Sequence, residues 1–106
     1  MKLLQVFETR TRAEWAADAL TNKVQEALNT YGLVTVADVY DFMCDITGFI
    51  DFINKSYIDT KYGWSDDPCI HVYRARSYGY STYGLELSDS KLLEECMETK
   101  IEHSED

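Results

Sequence analysis

The sequence has little of what several functional classes require. Its 106 residues include one proline, three cysteines and two histidines, and ten lysines and arginines face 19 aspartates and glutamates. The net charge of −9 disfavours a duplex nucleic-acid binder and a protein that adheres to anionic membranes, since both need basic surfaces. No apolar run approaches the roughly 18 residues of a membrane-spanning helix. The N-terminal residues become polar too soon for a signal peptide, which favours a cytosolic location.

The cysteines and histidines do not form a recognisable catalytic or metal-binding pattern. Cys44, Cys69 and Cys96 are odd in number and widely spaced, which argues against a disulfide framework or a paired-cysteine metal site. Cys69 and His71 are two apart on a predicted strand, which is more often an ordinary strand pattern than a catalytic pair. No calcium-loop or glycine-rich phosphate-loop pattern is present. The sequence therefore predicts no enzyme, no metal and no cofactor.

Apolar residues make up 45% of the chain and aromatic residues 13%, which predicts one folded domain over residues 1–106. Residues 3–8 read as a strand. A helix is predicted from about 12 to 31, started by a capping box of Thr11 and Glu14 and closed by Gly32. Its apolar stripe consists of Trp15, Ala16, Ala19, Leu20, Val24, Ala27, Leu28 and Tyr31.

A second helix is predicted to start at Thr35 as the N-cap, with Asp38 three residues later. Residues 69–76 and 83–88 are predicted to form a hairpin, and an acidic helix is predicted over about 89–102 with a frayed tail at 103–106. These elements predict an α+β fold in which two to three helices pack on one face of a small three-stranded antiparallel sheet.

The negative charge is concentrated in two blocks. Residues 33–68 and residues 88–106 each carry a net charge of −5, whereas residues 1–32 are neutral and residues 69–87 carry +1. Within the first block, Asp38, Asp41 and Asp45 are three and four apart and share one outer helix face, where like charges repel one another. Such a face is either simply solvated or suited to a basic groove on another protein.

Aromatic residues accompany both the first acidic block and the hairpin. The segment 62–68 has strong turn chemistry, and Trp64 within it is either buried or an exposed interface anchor beside Asp66 and Asp67. Tyrosines in and around the hairpin leave open a small-ligand pocket formed by Tyr73, Tyr78, Tyr80 and Arg76.

Two segments carry a family resemblance. YGLVTVADVYD at 31–41 and KYGWSD at 61–66 resemble a group of small proteins encoded by bacteriophages and prophages. The resemblance covers roughly residues 13–87. The chain departs from the group at Cys44, where a glycine is common, in a longer segment 45–57, and in its added acidic C-terminus.

The resemblance implies a protein that acts in the cytoplasm of a bacterial host. Small acidic phage proteins often block host factors, and CRISPR effectors recognise nucleic-acid backbones in positively charged channels. We therefore expect an anti-CRISPR-like inhibitor that mimics DNA and binds a basic host protein. The expected contact residues are Asp38, Asp41, Asp45, Tyr62, Trp64, Asp66, Asp67, Glu94, Glu95, Glu98 and Glu102. The alternatives are a phage accessory or assembly module that self-associates, such as a homodimer, and a protein that sequesters a small ligand.

Overall fold

The computed structural model describes residues 2–48, 61–77 and 80–93. Its elements in chain order are β1 (Lys2–Phe7), α1 (Arg10–Tyr31), β2 (Val34–Thr35), α2 (Val36–Thr47), β3 (Tyr62–Trp64), β4 (His71–Ser77), β5 (Tyr80–Glu86) and β6 (Lys91–Leu92). The chain is α+β with antiparallel sheets, as predicted.

The described residues form two sheets where one was expected. The larger has the strand order β1-β5-β4 and corresponds to the predicted sheet of an N-terminal strand and a hairpin. The smaller has the order β2-β3-β6, and each of its strands is only two or three residues long. Strands this short carry almost no periodic signal, so the sequence pattern did not reveal them.

Helix α1 begins earlier than predicted. Thr9 has an extended backbone, and its hydroxyl accepts a hydrogen bond from the Arg12 amide at 3.2 Å, so Thr9 is the N-cap. Thr11 already lies inside the helix, and the predicted capping box of Thr11 and Glu14 is therefore wrong. The predicted end is confirmed, because Gly32 has φ 74° and donates its amide to the Leu28 carbonyl at 2.8 Å.

The core forms where α1 packs on the larger sheet. The helix buries one stripe of side chains, and those in the first half of the stripe are alanines. The stripe consists of Ala13, Ala16, Ala17, Leu20, Val24 and Ala27. Leu3, Phe7, Leu85 and Leu87 meet it from the sheet side. Trp15 and Tyr31 were expected in this stripe but are 58% and 79% exposed. Trp15 lies about 200° around the helix from Ala13, at roughly 100° per residue, and Tyr31 is the last residue of the helix.

The predicted start of the C-terminal helix is wrong. Lys91 and Leu92 form strand β6 opposite β3, and the amide of Leu93 donates to the Lys61 carbonyl at 2.8 Å. The proposed cap at residues 88–90 is therefore a connection between two strands. The remainder of that predicted helix lies outside the described residues.

Candidate partner-binding surface

Helix α2 presents its aspartates in two different ways. Thr35 and Asp38 form the predicted capping box: the Thr35 hydroxyl accepts from the Asp38 amide at 3.0 Å, and the Asp38 carboxylate accepts from the Thr35 amide at 3.1 Å. Asp38 is half-buried, and its carboxylate is occupied by the backbone of its own helix. Its first role is therefore structural.

Asp41 and Asp45 are the exposed carboxylates of α2. Asp41 has no hydrogen bond or ion pair among the described residues, and Asp45 lies 3.9 Å from the Lys23 ammonium with a side chain that is 70% exposed. An ion pair at this distance and exposure contributes little to stability. The two carboxylates lie one helical turn apart, and each is accessible to a partner.

The two aromatic candidates of the first acidic block differ in burial. Trp64 is 5% exposed, and its indole N–H donates to the Ser88 carbonyl at 2.9 Å. The structure thus selects the buried alternative, and the Trp64 ring is not presented as an anchor. Tyr62, two residues earlier, is 41% exposed. Alternation along β3 places these two side chains on the same face of the sheet.

Asp66 and Asp67 lie in an exposed connection that follows β3. Asp66 forms no hydrogen bond or ion pair with another described residue, while Asp67 Oδ1 accepts from the Cys69 amide at 2.9 Å. This bond closes a tight turn in which Cys69 adopts φ 54°. The side chain of Asp67 therefore shapes the turn and also adds negative charge to the surface.

A third acidic residue, Asp89, joins Asp66 and Asp67. The connections 65–67 and 88–89 line the same open depression of about 340 Å³, together with Lys91. They meet because the Ser88 amide donates to the Pro68 carbonyl at 2.7 Å and β6 pairs with β3. Sequence reasoning did not include Asp89 among the site residues, since its neighbours are more than 20 positions away along the chain.

The two acidic groups leave the smaller sheet in opposite directions. Val34 faces Trp64 and Thr35 faces Gly63, and the pairing is antiparallel. Helix α2 therefore continues from one end of this short ladder, whereas Asp66 and Asp67 follow its other end. The lining of the depression beside Asp66 includes neither Asp41 nor Asp45.

Much of the negative charge lies elsewhere in the chain. Eight basic and eleven acidic side chains fall within the described residues, a net charge of −3. The other −6 of the total belongs to residues outside them, including four predicted contact residues, Glu94, Glu95, Glu98 and Glu102.

Two of the four residues of the small-ligand pocket considered above, Tyr73 and Arg76, lie on opposite faces of the hairpin, and the side chains of Tyr78 and Tyr80 lie outside what the structure describes. Tyr73 pairs with Gly84 and Arg76 pairs with Ser81, so alternation directs their side chains to opposite faces of the sheet. A Cβ on Gly84 would lie 2.6 Å from the Tyr73 ring, and Lys2 Nζ lies 4.9 Å from its centroid. Tyr73 is thus packed over the sheet, away from Arg76. Residues 78–79 lie outside the described part of the chain.

Cys69 and His71 do not face one another through their reactive atoms. His71 Nδ1 is 3.2 Å from the Cys69 carbonyl oxygen, and Nε2 is 3.1 Å from a Glu86 carboxylate oxygen. The Cys69 thiol instead contacts the Asp67 carbonyl at 3.7 Å. Neither ring nitrogen is placed to take the thiol proton.

Within residues 2–48, 61–77 and 80–93, no three histidine, cysteine, aspartate or glutamate side chains are grouped so that they could hold a metal ion. No helix in the same ranges is both long and apolar enough to cross a membrane. The chain matches no family model, no curated protein and no solved structure.

Proposed function

We propose that this protein is an acidic, phage-encoded inhibitor that binds a basic surface on a host defence protein. The partner class is a CRISPR effector or another nucleic-acid-handling protein in the bacterial cytoplasm, and binding blocks the surface that would hold the nucleic acid. The protein acts by occupancy as a DNA mimic and not as an enzyme. The observation that carries the proposal is the set of exposed carboxylates on α2 and after β3: Asp41, Asp45, Asp66 and Asp67.

Binding a basic surface would break few internal contacts of this protein. Asp41 and Asp66 have no partner among the described residues, so a basic surface gains their charge without breaking an internal ion pair. Asp41 and Asp45 are fixed one turn apart on a helix that is capped at both ends, which limits the ordering cost on binding. Tyr62, in strand β3 of the smaller sheet, supplies a partly exposed aromatic ring.

A competition experiment tests the proposal. Purified CRISPR effectors and host nucleases are loaded with labelled DNA, and the protein is added while gel shift follows the bound DNA. We expect the wild type to displace DNA from its target, and the variant D41K/D45K to lose at least about tenfold in potency, because reversed charges repel a basic channel. The loss should shrink as ionic strength rises.

The matched control is D18K/E26K, which makes the same change in net charge at exposed positions of α1. It should keep close to wild-type potency if the position of the carboxylates matters. Equal losses of potency in both variants would show that net charge alone, and not the position of the carboxylates, determines binding. A wild-type protein that displaces DNA from none of these partners would overturn the proposed function.

A further inference from the structure

A separate cleft has none of the exposed aspartates discussed above in its lining, although Asp45 directly precedes one of its lining residues, Ile46. It has a volume of about 410 Å³ and opens between the end of β1, the first turns of α1 and the end of α2. Its lining combines Val6 and Trp15, which are 55% and 58% exposed, with Phe7 and Ile46. Two charged residues, Glu8 and Arg12, complete it.

Trp15 is the unusual member of this cleft. It lies on the side of α1 that does not pack on the sheet, and its indole N–H has no partner among the described residues. The other tryptophan, Trp64, is buried and hydrogen-bonded. An exposed tryptophan beside a second exposed apolar side chain is the composition of an interface centre and not of an ordinary solvated surface.

The charges at this cleft are self-complementary. Neither the Glu8 carboxylate nor the Arg12 guanidinium forms a hydrogen bond or ion pair with a described residue. In a two-fold interface each contact occurs twice, so Glu8 of one copy can meet Arg12 of the other, and the reverse pair forms automatically. No uncompensated charge remains at such a junction.

The wider charge distribution favours the same occupant. Residues 1–32, which contain β1 and α1, carry four basic and four acidic side chains and are neutral in a protein of net charge −9. The lining of the cleft carries one acidic and one basic side chain, and its two α2 residues, Ile46 and Thr47, are uncharged, so two copies can approach through it with no net repulsion between the lining residues. The lining offers a basic partner no net attraction.

We propose that this cleft is a homodimer interface, in which Trp15 and Val6 of two copies pack together and Glu8 and Arg12 form reciprocal ion pairs. Among the described strands β1 is an edge of its sheet, and its register with β5 is irregular between Lys2 and Val6. An irregular edge strand hinders continuous strand pairing, so side chains and not a shared sheet hold the two copies together. The inference does not depend on the proposed function, and the lining of the cleft includes neither Asp41 nor Asp66.

Sedimentation velocity of the full chain over a range of concentrations tests the dimer. We expect a concentration-dependent monomer–dimer equilibrium, and W15A should raise the dissociation constant at least about tenfold. The control Y31A removes a more exposed aromatic side chain at the other end of α1 and should leave the equilibrium unchanged. Circular dichroism confirms that each variant is folded.

A charge-swap cycle identifies the reciprocal pair. E8R and R12E should each weaken the dimer, because each places like charges opposite one another, and the double variant E8R/R12E should restore it. A wild type that stays monomeric at every concentration would overturn the proposal. So would a dimer that W15A leaves intact, or one in which the double variant is as weak as the single variants. Binding of a DNA-handling partner is measured separately and has no bearing on this outcome.

Discussion

At Gly63 the backbone of β2 lies too close to β3 for a side chain to fit. A Cβ at this position would overlap the Val34 carbonyl oxygen and lie 2.8 Å from the Thr35 Cα. Both neighbours are backbone atoms of β2, which leads directly into helix α2. A side chain here would push apart β2 and β3, the two strands from whose opposite ends the acidic segments continue.

Replacing Gly63 with alanine should therefore destabilise the protein by about 2 kcal/mol or more, because the overlap can be relieved only by moving backbone. The comparison variant is G48A. Gly48 has φ 69° but nothing within 4 Å of an added Cβ, so its cost is that of the left-handed conformation, about 1 kcal/mol. Urea unfolding monitored by circular dichroism measures both. Equal losses, or a larger loss for G48A, would contradict the packing argument.

Sequence patterns predicted some of the helix caps correctly but did not predict the burial of the two tryptophans. The caps Gly32, Thr35 and Asp38 were predictable because capping depends on residues within one turn of the helix end. The burial of Trp64 was not, since its indole bonds to Ser88, 24 positions away. Trp15 was placed in the core because it is large and apolar, yet alanines occupy the face that packs on the sheet.

At the scale of the element, helix α2 divides its aspartates between stability and surface charge. Asp38 completes the capping box at the first turn, where a carboxylate also meets the positive end of the helix dipole. Asp41, one turn later, is exposed and has no partner among the residues that the structure describes. Sequence spacing had put both on one binding face, and spacing alone does not reveal which carboxylate the backbone uses.

The variants D38A and D41A separate these roles. We expect D38A to lower the free energy of unfolding by about 1 kcal/mol, because it leaves the Thr35 amide without its partner. We expect D41A to change it by less than about 0.5 kcal/mol, as is usual for an exposed position. Once both variants are confirmed to be folded, D41A should lose more potency than D38A in the DNA-competition assay. This is the reverse of the order of their effects on stability. Similar stability losses for the two would show that the cap is not what Asp38 contributes.

For the whole molecule, the sequence predicted the α+β class and the larger sheet, because the six- and seven-residue strands of that sheet are long enough to carry a pattern. The strands of the smaller sheet have only two or three residues, so pairings such as that of β3 with β6 leave no pattern in the sequence. Those same pairings bring Asp89 beside Asp66 and send α2 away from them. The arrangement of the acidic residues is thus a property of the tertiary fold.

The two acidic blocks can be compared by neutralising the same number of carboxylates in each. One variant, D41N/D45N/D66N/D67N, removes four charges from the first block and keeps an oxygen acceptor at position 67 for the Cys69 amide. The other, E94Q/E95Q/E98Q/E102Q, removes four from the second. Each should weaken DNA displacement at low salt by about tenfold or more if both blocks contact the partner.

The combined variant then decides whether the blocks act together on one basic surface. If they do, its loss should equal the product of the two separate losses, and the dependence of binding on salt should fall in steps with each set of charges removed. If the second block is only a solvated surface, its variant should match the wild type at every salt concentration. If the first-block variant displaces DNA as well as the wild type and the second-block variant does not, the contact surface does not include α2. The site proposed on α2 would then be rejected.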